Sequence, residues 1–458
     1  MKYHISLIIF LLVLLSACQQ ATETEYLVLQ GATIFDGNGT KYENGVIVIK
    51  GENIHAVGDN NTEIPTNSII EDVSGKYIVP GFVDSHVHYV QSGFFDVNPS
   101  DLNVNLQDTL SYPEYNPKRF HEAYIRSGVT AVYEPGNTLE NSIPVQNTRD
   151  SRIPHNSTTG PLINPYFDLD SLFIKPKSVD HMGQIIRALD SAGTIGIKIW
   201  DINIQDTTFL NILEYAGTEV ANRGNKLVVH AMDLEKAKIA LRAGAKVLVH
   251  SVSDTLIDEE FIQLAKRNEV IYCPTLTVFQ GYLKAWESVL GYNSWQITDP
   301  NQVLDARTVS LVNNAGSFLK FVDSTSIANG LVEKKADLLP RTRMALLNLK
   351  KVYDAGIMVG TSTDAGNPGT LHGVSYIDEL EAMQEAGIPA IDLITMSTRN
   401  GAMLMERIGD IGTLEEGKIA DLVIMEKDPS VDISHIRTLT DVMHFGVLRS
   451  VKEKLNWE

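Results

Sequence analysis

The sequence predicts an α/β chain: a barrel of parallel βα units with a metal centre at its mouth, and a small β domain contributed by both chain ends. Three observations predict it. The run Pro80-Gly81-Phe82-Val83-Asp84-Ser85-His86-Val87-His88 is an apolar strand ending in His-x-His. Side chains two apart on a strand share a face, so His86 and His88 can grip one ion from a rigid support. Later apolar runs each end in another candidate: Val228-Val229-His230, Val247-Leu248-Val249-His250 and Val359-Gly360-Thr361-Ser362-Thr363-Asp364, while Ile195-Gly196-Ile197-Lys198-Ile199-Trp200 carries a lysine where a strand ought to be buried. Between these runs lie amphipathic stretches of helical length, Leu210–Arg223, Leu234–Ala243 and Glu259–Asn268. That alternation is the pattern of a parallel sheet.

At the N-terminus, Met1-Lys2-Tyr3-His4 precedes the apolar run Ile5–Leu15 and then Ser16-Ala17-Cys18. A short positive region, an apolar stretch too brief to span a bilayer and small residues before a cleavage point predict a secretory signal over residues 1–17. A Cys directly after Leu-Ser-Ala resembles a bacterial lipobox. In that reading Cys18 is lipidated, residues 18–26 form a polar tether, and the protein sits in the cell envelope on a bacterial membrane. The plainer alternative is an ordinary signal peptide with an incidental Cys. With Cys18 lipidated, Cys273 is the other of 2 cysteines, so no intrachain disulfide is expected.

Residues 27–79 hold short β-type runs, Tyr26–Leu29, Ala32–Phe35, Gly45–Ile49 and Ile54–Val57, with Asp36-Gly37 and Asn38-Gly39 as turn signals. Barrel strands are expected at Val129–Glu134, Lys226–His230, Lys246–Ser251, Val270–Pro274 and Ile357–Thr361. Residues 276–340, between the seventh and eighth strands, are rich in Leu, Trp, Tyr and Asn. They read either as extra packing helices or as a lid, since barrel sites are built from loops at the C-terminal strand ends. Gly417–Met425 returns to strand character. The small β domain thus combines 27–79 with 403–458, around a barrel of residues 80–402. With 57 acidic against 38 basic residues, the formal net charge is −19. That acidity argues against nucleic acid or an anionic lipid surface as a partner.

In this order the motifs resemble those of the amidohydrolase superfamily of metal-dependent hydrolases. The resemblance includes Asp36-Gly37, the His86–His88 strand, His230, Ala243-Gly244-Ala245 leading to His250, Pro274-Thr275-Leu276, and Ser362-Thr363-Asp364. It continues in Ser397–Ala402 and in Gly412-Thr413-Leu414-Glu415-Glu416-Gly417-Lys418-Ile419-Ala420-Asp421-Leu422-Val423. It implies a (β/α)8 TIM-like barrel with a small β-sandwich, most similar to the imidazolonepropionase-related and Xaa-Pro dipeptidase-like branch.

The resemblance assigns His86 and His88 to a buried metal, with Asp364 completing its shell and acting as proton shuttle; Asp364 as a helix cap is the structural alternative. His230 and His250 are assigned to a second metal. Lys198 is assigned a carbamate that bridges two divalent ions, expected as Zn2+. The alternative is a lysine paired with Asp201 or with substrate, in a site holding one metal. Tyr89, Gln91, Trp200 and His372 read either as substrate contacts or as packing and loop residues, while His121, His155, His181, His435 and His444 read as structural or surface residues. The implied reaction is hydrolysis of an amide in a dipeptide or cyclic amide, by hydroxide generated on metal. Asp233, three after His230, stands where relatives that deaminate ring amidines often carry Glu, which lowers that reading. A mononuclear hydrolase or deaminase of a heterocycle is the alternative, and a non-catalytic binding relative the third. The expected partners are a small-molecule or dipeptide substrate and, through the lipid, a membrane; a homo-oligomer is compatible with both.

Overall fold

A computed structural model describes residues 25–94, 116–169, 171–292, 295–320 and 324–457. The expected signal, Cys18 and nearly all of the tether lie outside the described residues. Among the described residues, no helix is long and apolar enough to cross a membrane.

Both chain ends meet in one sheet. Its N-terminal strands are β1 (Tyr26–Phe35), β2 (Lys41–Lys50), β3 (Asn53–Gly58), β4 (Ser68–Asp72) and β5 (Tyr77–Pro80). The expected Asp36-Gly37 turn joins β1 to β2, with the Asp36 carboxylate accepting from the backbone N–H of Asn38 (2.7 Å) and Thr40 (2.9 Å). The sheet is completed from the far end of the chain by three strands numbered here after those of the barrel: β16 (Leu422–Met425), β17 (Leu439–His444) and β18 (Val447–Ser450). The order is β18-β17-β16-β5-β1-β2-β3, with β4 on β1. The join is the antiparallel β5–β16 pair, Leu422 opposite Pro80 and Ile424 opposite Ile78. Alternating apolar residues bury Leu29, Ile34, Ile47, Ile78, Leu422 and Ile424 in one core beneath it.

The barrel proper runs β6 (Phe82–Asp84), β7 (Val129–Glu134), β8 (His155–Thr158), β11 (Gly196–Ile199), β12 (Lys226–His230), β13 (Val247–Val249), β14 (Ile271–Cys273) and β15 (Met358–Val359), with a short parallel pair, β9 (Leu162–Ile163) and β10 (Phe173–Ile174), between β8 and β11. All of its ladders are parallel. Backbone bonds close the ring on both sides: Ile195 N–H to the Thr158 carbonyl, 3.1 Å, and Ser85 N–H to the Thr361 carbonyl, 2.8 Å. The strands expected at Val129–Glu134, Lys226–His230, Lys246–Ser251, Val270–Pro274 and Ile357–Thr361 match within two residues at either end. The helices match within three, at Thr207–Asn222, Leu234–Arg242 and Glu259–Arg267.

The stretch between β14 and β15 is helical. It holds helices Thr277–Leu290 and Ala306–Asn313, a 3-10 segment Ala315–Lys320, and the start of a helix running from Ser324 to Asp354. Leu283, Trp286, Val289, Phe318 and Leu331 make a core of their own, into which Phe94 inserts from the loop beyond β6. The first of these helices starts on the Glu379 carboxylate, which accepts from Leu276 N–H (2.8 Å), Thr277 N–H (2.9 Å) and the Thr277 hydroxyl (3.0 Å). It then lies so close to the loop after β15 that a Cβ on Gly281 would stand 2.8 Å from the Gly369 carbonyl carbon.

At the opposite end of the barrel, Asp421 joins the two halves. Its carboxylate meets His155 Nε2 at 2.7 Å, at the start of β8, and His444 Nδ1 at 2.8 Å, and it accepts the Phe445 N–H at 2.9 Å. Burial pushes the Asp421 carboxyl up, but the charges of His444 and His155 and their bonds outweigh it and hold it well below the usual range.

Candidate metal centre

The expected ligands converge at the C-terminal ends of the strands. β6 itself stops at Asp84, and His86 and His88 lie just beyond it on a continuation held by Val87 N–H to the Tyr133 carbonyl, 3.0 Å, and His88 N–H to the Ala365 carbonyl, 2.8 Å. The two imidazoles still share a face, with their Nε2 atoms 3.1 Å apart. Asp364 Oδ1 stands 3.4 Å from His86 Nε2 and 3.2 Å from His88 Nε2. Tetrahedral bonds of about 2.0 Å to one ion would separate ligand atoms by about 3.3 Å, so this triangle has the dimensions of a zinc-type half-shell. Asp364 Oδ1 is buried and has no hydrogen-bond partner. Three lone-pair atoms facing one point, one of them otherwise unsatisfied, fit a divalent cation.

The second group sits beside the first. The His230 and His250 rings are 4.4 Å apart between centroids, and His86 and His250 are 5.1 Å apart. His250 Nδ1 lies 3.8 Å from Asp364 Oδ2 and 2.7 Å from the Thr275 hydroxyl. His86, His250 and Asp364 offer ligand atoms within 4.8 Å of one another, a set that can hold an ion. Burial, and next the charge of Lys198, hold the His230 imidazole down at about 3, so it stays neutral and its lone pair is available.

Lys198 is 1 % exposed. Its charge depresses the imidazoles of His86, His230 and His250, and Asp364 in turn acts on it, so its amine belongs to this group. Burial pulls the amine down to about 7, against a partial opposing pull from Asp364. The alternative partner, Asp201, is engaged elsewhere: its carboxylate takes Lys236 Nζ at 2.7 Å and the Tyr166 hydroxyl at 2.8 Å. Among the described residues no carboxylate comes within ion-pair distance of Lys198.

The surroundings of the centre hold three acids that the sequence did not single out. Asp84 accepts from Thr363 N–H (3.0 Å) and its hydroxyl (2.6 Å) and from His86 N–H (3.3 Å), fixing the strand-one and strand-eight ends against each other. Burial raises its carboxyl to about 7 in spite of these bonds. Glu134, the last residue of β7, accepts from Tyr89 N–H (2.9 Å) and Asn137 Nδ2 (2.8 Å), and burial raises it to about 8. Two residues on, the Gly136 carbonyl takes His88 Nδ1 at 3.3 Å, the outer bond that orients a metal-type imidazole. The signal for Glu134 was a lone carboxylate ending the buried run Val129–Glu134, with Pro135-Gly136 after it. Glu379, at the insert, carries no such signal.

The four expected substrate contacts divide. Trp200 is half-buried, beside Phe173 and Phe167. Tyr89 is buried instead among Phe120, Tyr124 and His372. His372 is buried with both ring nitrogens engaged: Nε2 donates to the Gln91 carbonyl at 2.8 Å, so Nδ1 accepts from the Tyr124 hydroxyl at 2.9 Å. Its ring stacks 3.9 Å from Phe120. The Tyr89 ring, and His372 with the Gln91 carbonyl, therefore brace the loops after β6 and β15. Asp233, for its part, pairs with Arg341 Nη1 at 3.4 Å, and the same guanidinium reaches the Ser253 hydroxyl at 3.2 Å.

Residues 77–448 match the Amidohydrolase family, and the chain belongs to it. Guanine deaminase of Escherichia coli (strain K12) is 23% identical over 405 residues, covering 84% of this chain and 81% of that protein. Imidazolonepropionase of Alkaliphilus metalliredigens (strain QYMF) is 23% identical over 442 residues, 88% of this chain and 87% of that protein. Among solved structures, a Xaa-Pro dipeptidase with bound methionine in its active site superposes with a TM-score of 0.66 at 20% identity, covering 93% of this chain and 100% of that one. That likeness shows the same TIM-barrel fold.

Proposed function

We propose that this chain is a divalent-metal hydrolase of a C–N bond, acting on an amide of the dipeptide or cyclic-amide kind. The observation that carries the reading is the triangle of His86 Nε2, His88 Nε2 and Asp364 Oδ1, with edges of 3.1 to 3.4 Å and a buried, unsatisfied carboxylate oxygen at one corner. These three residues would hold one ion. His230 and His250 would hold a second, with Lys198 bridging the two as a carbamate, and zinc is the expected metal. Bound metal supplies a polarised carbonyl and a water acidic near neutrality.

The chain's own groups do the rest. Asp364 receives the proton of the attacking water and returns it to the leaving nitrogen, as base and then acid. Asp84 and Glu134 keep the strand ends registered so that the ligand atoms stay in place. A neutral Lys198 amine is the form that reacts with CO2, and burial favours it.

Ring deamination is the second reading, favoured by the guanine deaminase likeness. The engagement of Asp233 by Arg341 weighs against it, because that carboxylate is committed to a surface ion pair. Attachment to a bacterial envelope membrane through Cys18 belongs to the same proposal, and loss of lipid labelling in Cys18→Ala tests it.

The decisive test is metal content of the soluble form beginning after Cys18, purified with bicarbonate and assayed against dipeptides and cyclic amides. About two ions per chain, falling to one or fewer in Lys198→Met, together with amide turnover, is the expected result. No metal uptake and no hydrolysis would overturn the reading.

A further inference from the structure

One side of the barrel mouth is walled by aromatic rings. Trp200 follows Lys198 by two residues and so shares its strand face, and its backbone N–H is fixed on the Ile163 carbonyl at 2.7 Å. The indole stands edge-on to Phe173, 5.3 Å between centroids at 82°, with Phe167 6.1 Å away. Phe167 and Phe173 lie 5.2 Å apart.

The loop that carries the two phenylalanines is built firmly. Asn164 Oδ1 accepts from the N–H of Tyr166 (2.9 Å) and Phe167 (3.1 Å), and Asn164 Nδ2 donates to the Phe167 carbonyl at 2.9 Å. Asn164 N–H itself donates to the Ile174 carbonyl at 3.0 Å. Even so, Phe167 keeps 40% of its surface in solvent and Tyr166 44%. Asp201 is taken up by Lys236 and the Tyr166 hydroxyl, and the loop's own charges are engaged on its backbone: Asp168 accepts from Lys175 N–H at 2.7 Å and Lys175 Nζ donates to the Tyr166 carbonyl at 3.3 Å. Rigid aromatic surface left in water beside a reaction centre gains free energy when an apolar group covers it, and rings meet best edge-to-face or offset.

We propose that Trp200, Phe173 and Phe167 form a subsite for an aromatic group of the substrate, next to the scissile C–N bond. The inference rests on the amide-hydrolase reading above and narrows its substrate class to amides of aromatic residues.

The test compares kcat/KM for Gly-Phe, Gly-Ala, Phe-Gly and Ala-Gly in the metal-loaded protein, and again in Trp200→Ala and Trp200→Phe. At one of the two positions phenylalanine is expected to exceed alanine by tenfold or more. That ratio should fall below threefold in Trp200→Ala and recover in Trp200→Phe. Equal rates for phenylalanine and alanine at both positions, or a ratio that Trp200→Ala leaves intact, would overturn the subsite.

Calorimetric binding of N-acetyl-L-phenylalanine against N-acetyl-L-alanine separates the two readings if no dipeptide is cleaved. Binding at least tenfold tighter for the phenylalanine probe, lost in Trp200→Ala, upholds the subsite while the dipeptidase reading falls. No difference between the probes overturns both.

Discussion

His250, Thr275 and Asp364 sit at φ of +71°, +49° and +57°, a backbone region that side chains other than glycine seldom occupy. Such positions cost on the order of 1–3 kcal/mol each and persist where the surroundings over-determine them. Two of the three are expected ligands, and the third bonds the His250 imidazole, so part of the backbone strain of the described residues, which also falls on Asn44, Glu269, Gln302, Glu406 and Phe445, sits on groups that must point inward. This guides the choice of variant. Asparagine tolerates the left-handed region well, so Asp364→Asn should fold with an unchanged melting temperature. It removes the proton-carrying carboxylate, and kcat should fall by about 10²–10⁴-fold, measured on whichever amide the wild type cleaves. An unchanged rate would remove Asp364 from proton transfer.

At the scale of elements, two buried carboxylates act as joints. Asp421 ties β8 to β16 and β17 through His155, His444 and Phe445. Asp421→Ala leaves those donors buried and unmatched, and about 3–5 kcal/mol of stability should go with it, read by urea unfolding. The joint also sets an acid limit. Burial, more than Asp421 can offset, holds His155 down to about 4, while a histidine in the unfolded chain titrates near about 6.5. The unfolded state thus binds the extra proton first, and stability should drop by about 3 kcal/mol as pH falls from about 6.5 to about 4, flattening in a His155→Gln variant. Glu379 is the second joint, at the root of the insert. Glu379→Ala strips three bonds from the start of helix Thr277–Leu290, and limited proteolysis should then cut between residues 277 and 354 several-fold faster while the barrel fragment persists.

Over the whole molecule, what was legible in the sequence is what periodicity and strand ends encode. A buried strand announces itself as an apolar run, and a polar residue ending such a run stands at the mouth, which is how His86, His88, Lys198, His230, His250 and Asp364 could be brought together. Partnership was not legible. Whether an acid meets Lys198, or whether His372 faces a ligand or Tyr124, depends on contacts between distant parts of the chain, and no local pattern records it. What the insert's helices pack against was hidden for a related reason: their apolar residues pack on each other and on Phe94, so their spacing follows a private core.

The β5–β16 pair has a consequence in time. The first five strands leave the ribosome early, yet the strand that completes their sheet begins at Leu422, some 340 residues later. Until then one edge of β5 has no partner and Ile78 no complete cover, a contact of very long range and slow closure. A chain stopped at residue 410 should therefore be digested as an unfolded protein even though every barrel strand is present, and solubility of that fragment with native-like protection would contradict the dependence. A fold that cannot close until residues 422–450 exist is a built-in delay, one that keeps the chain threadable for as long as it is being made.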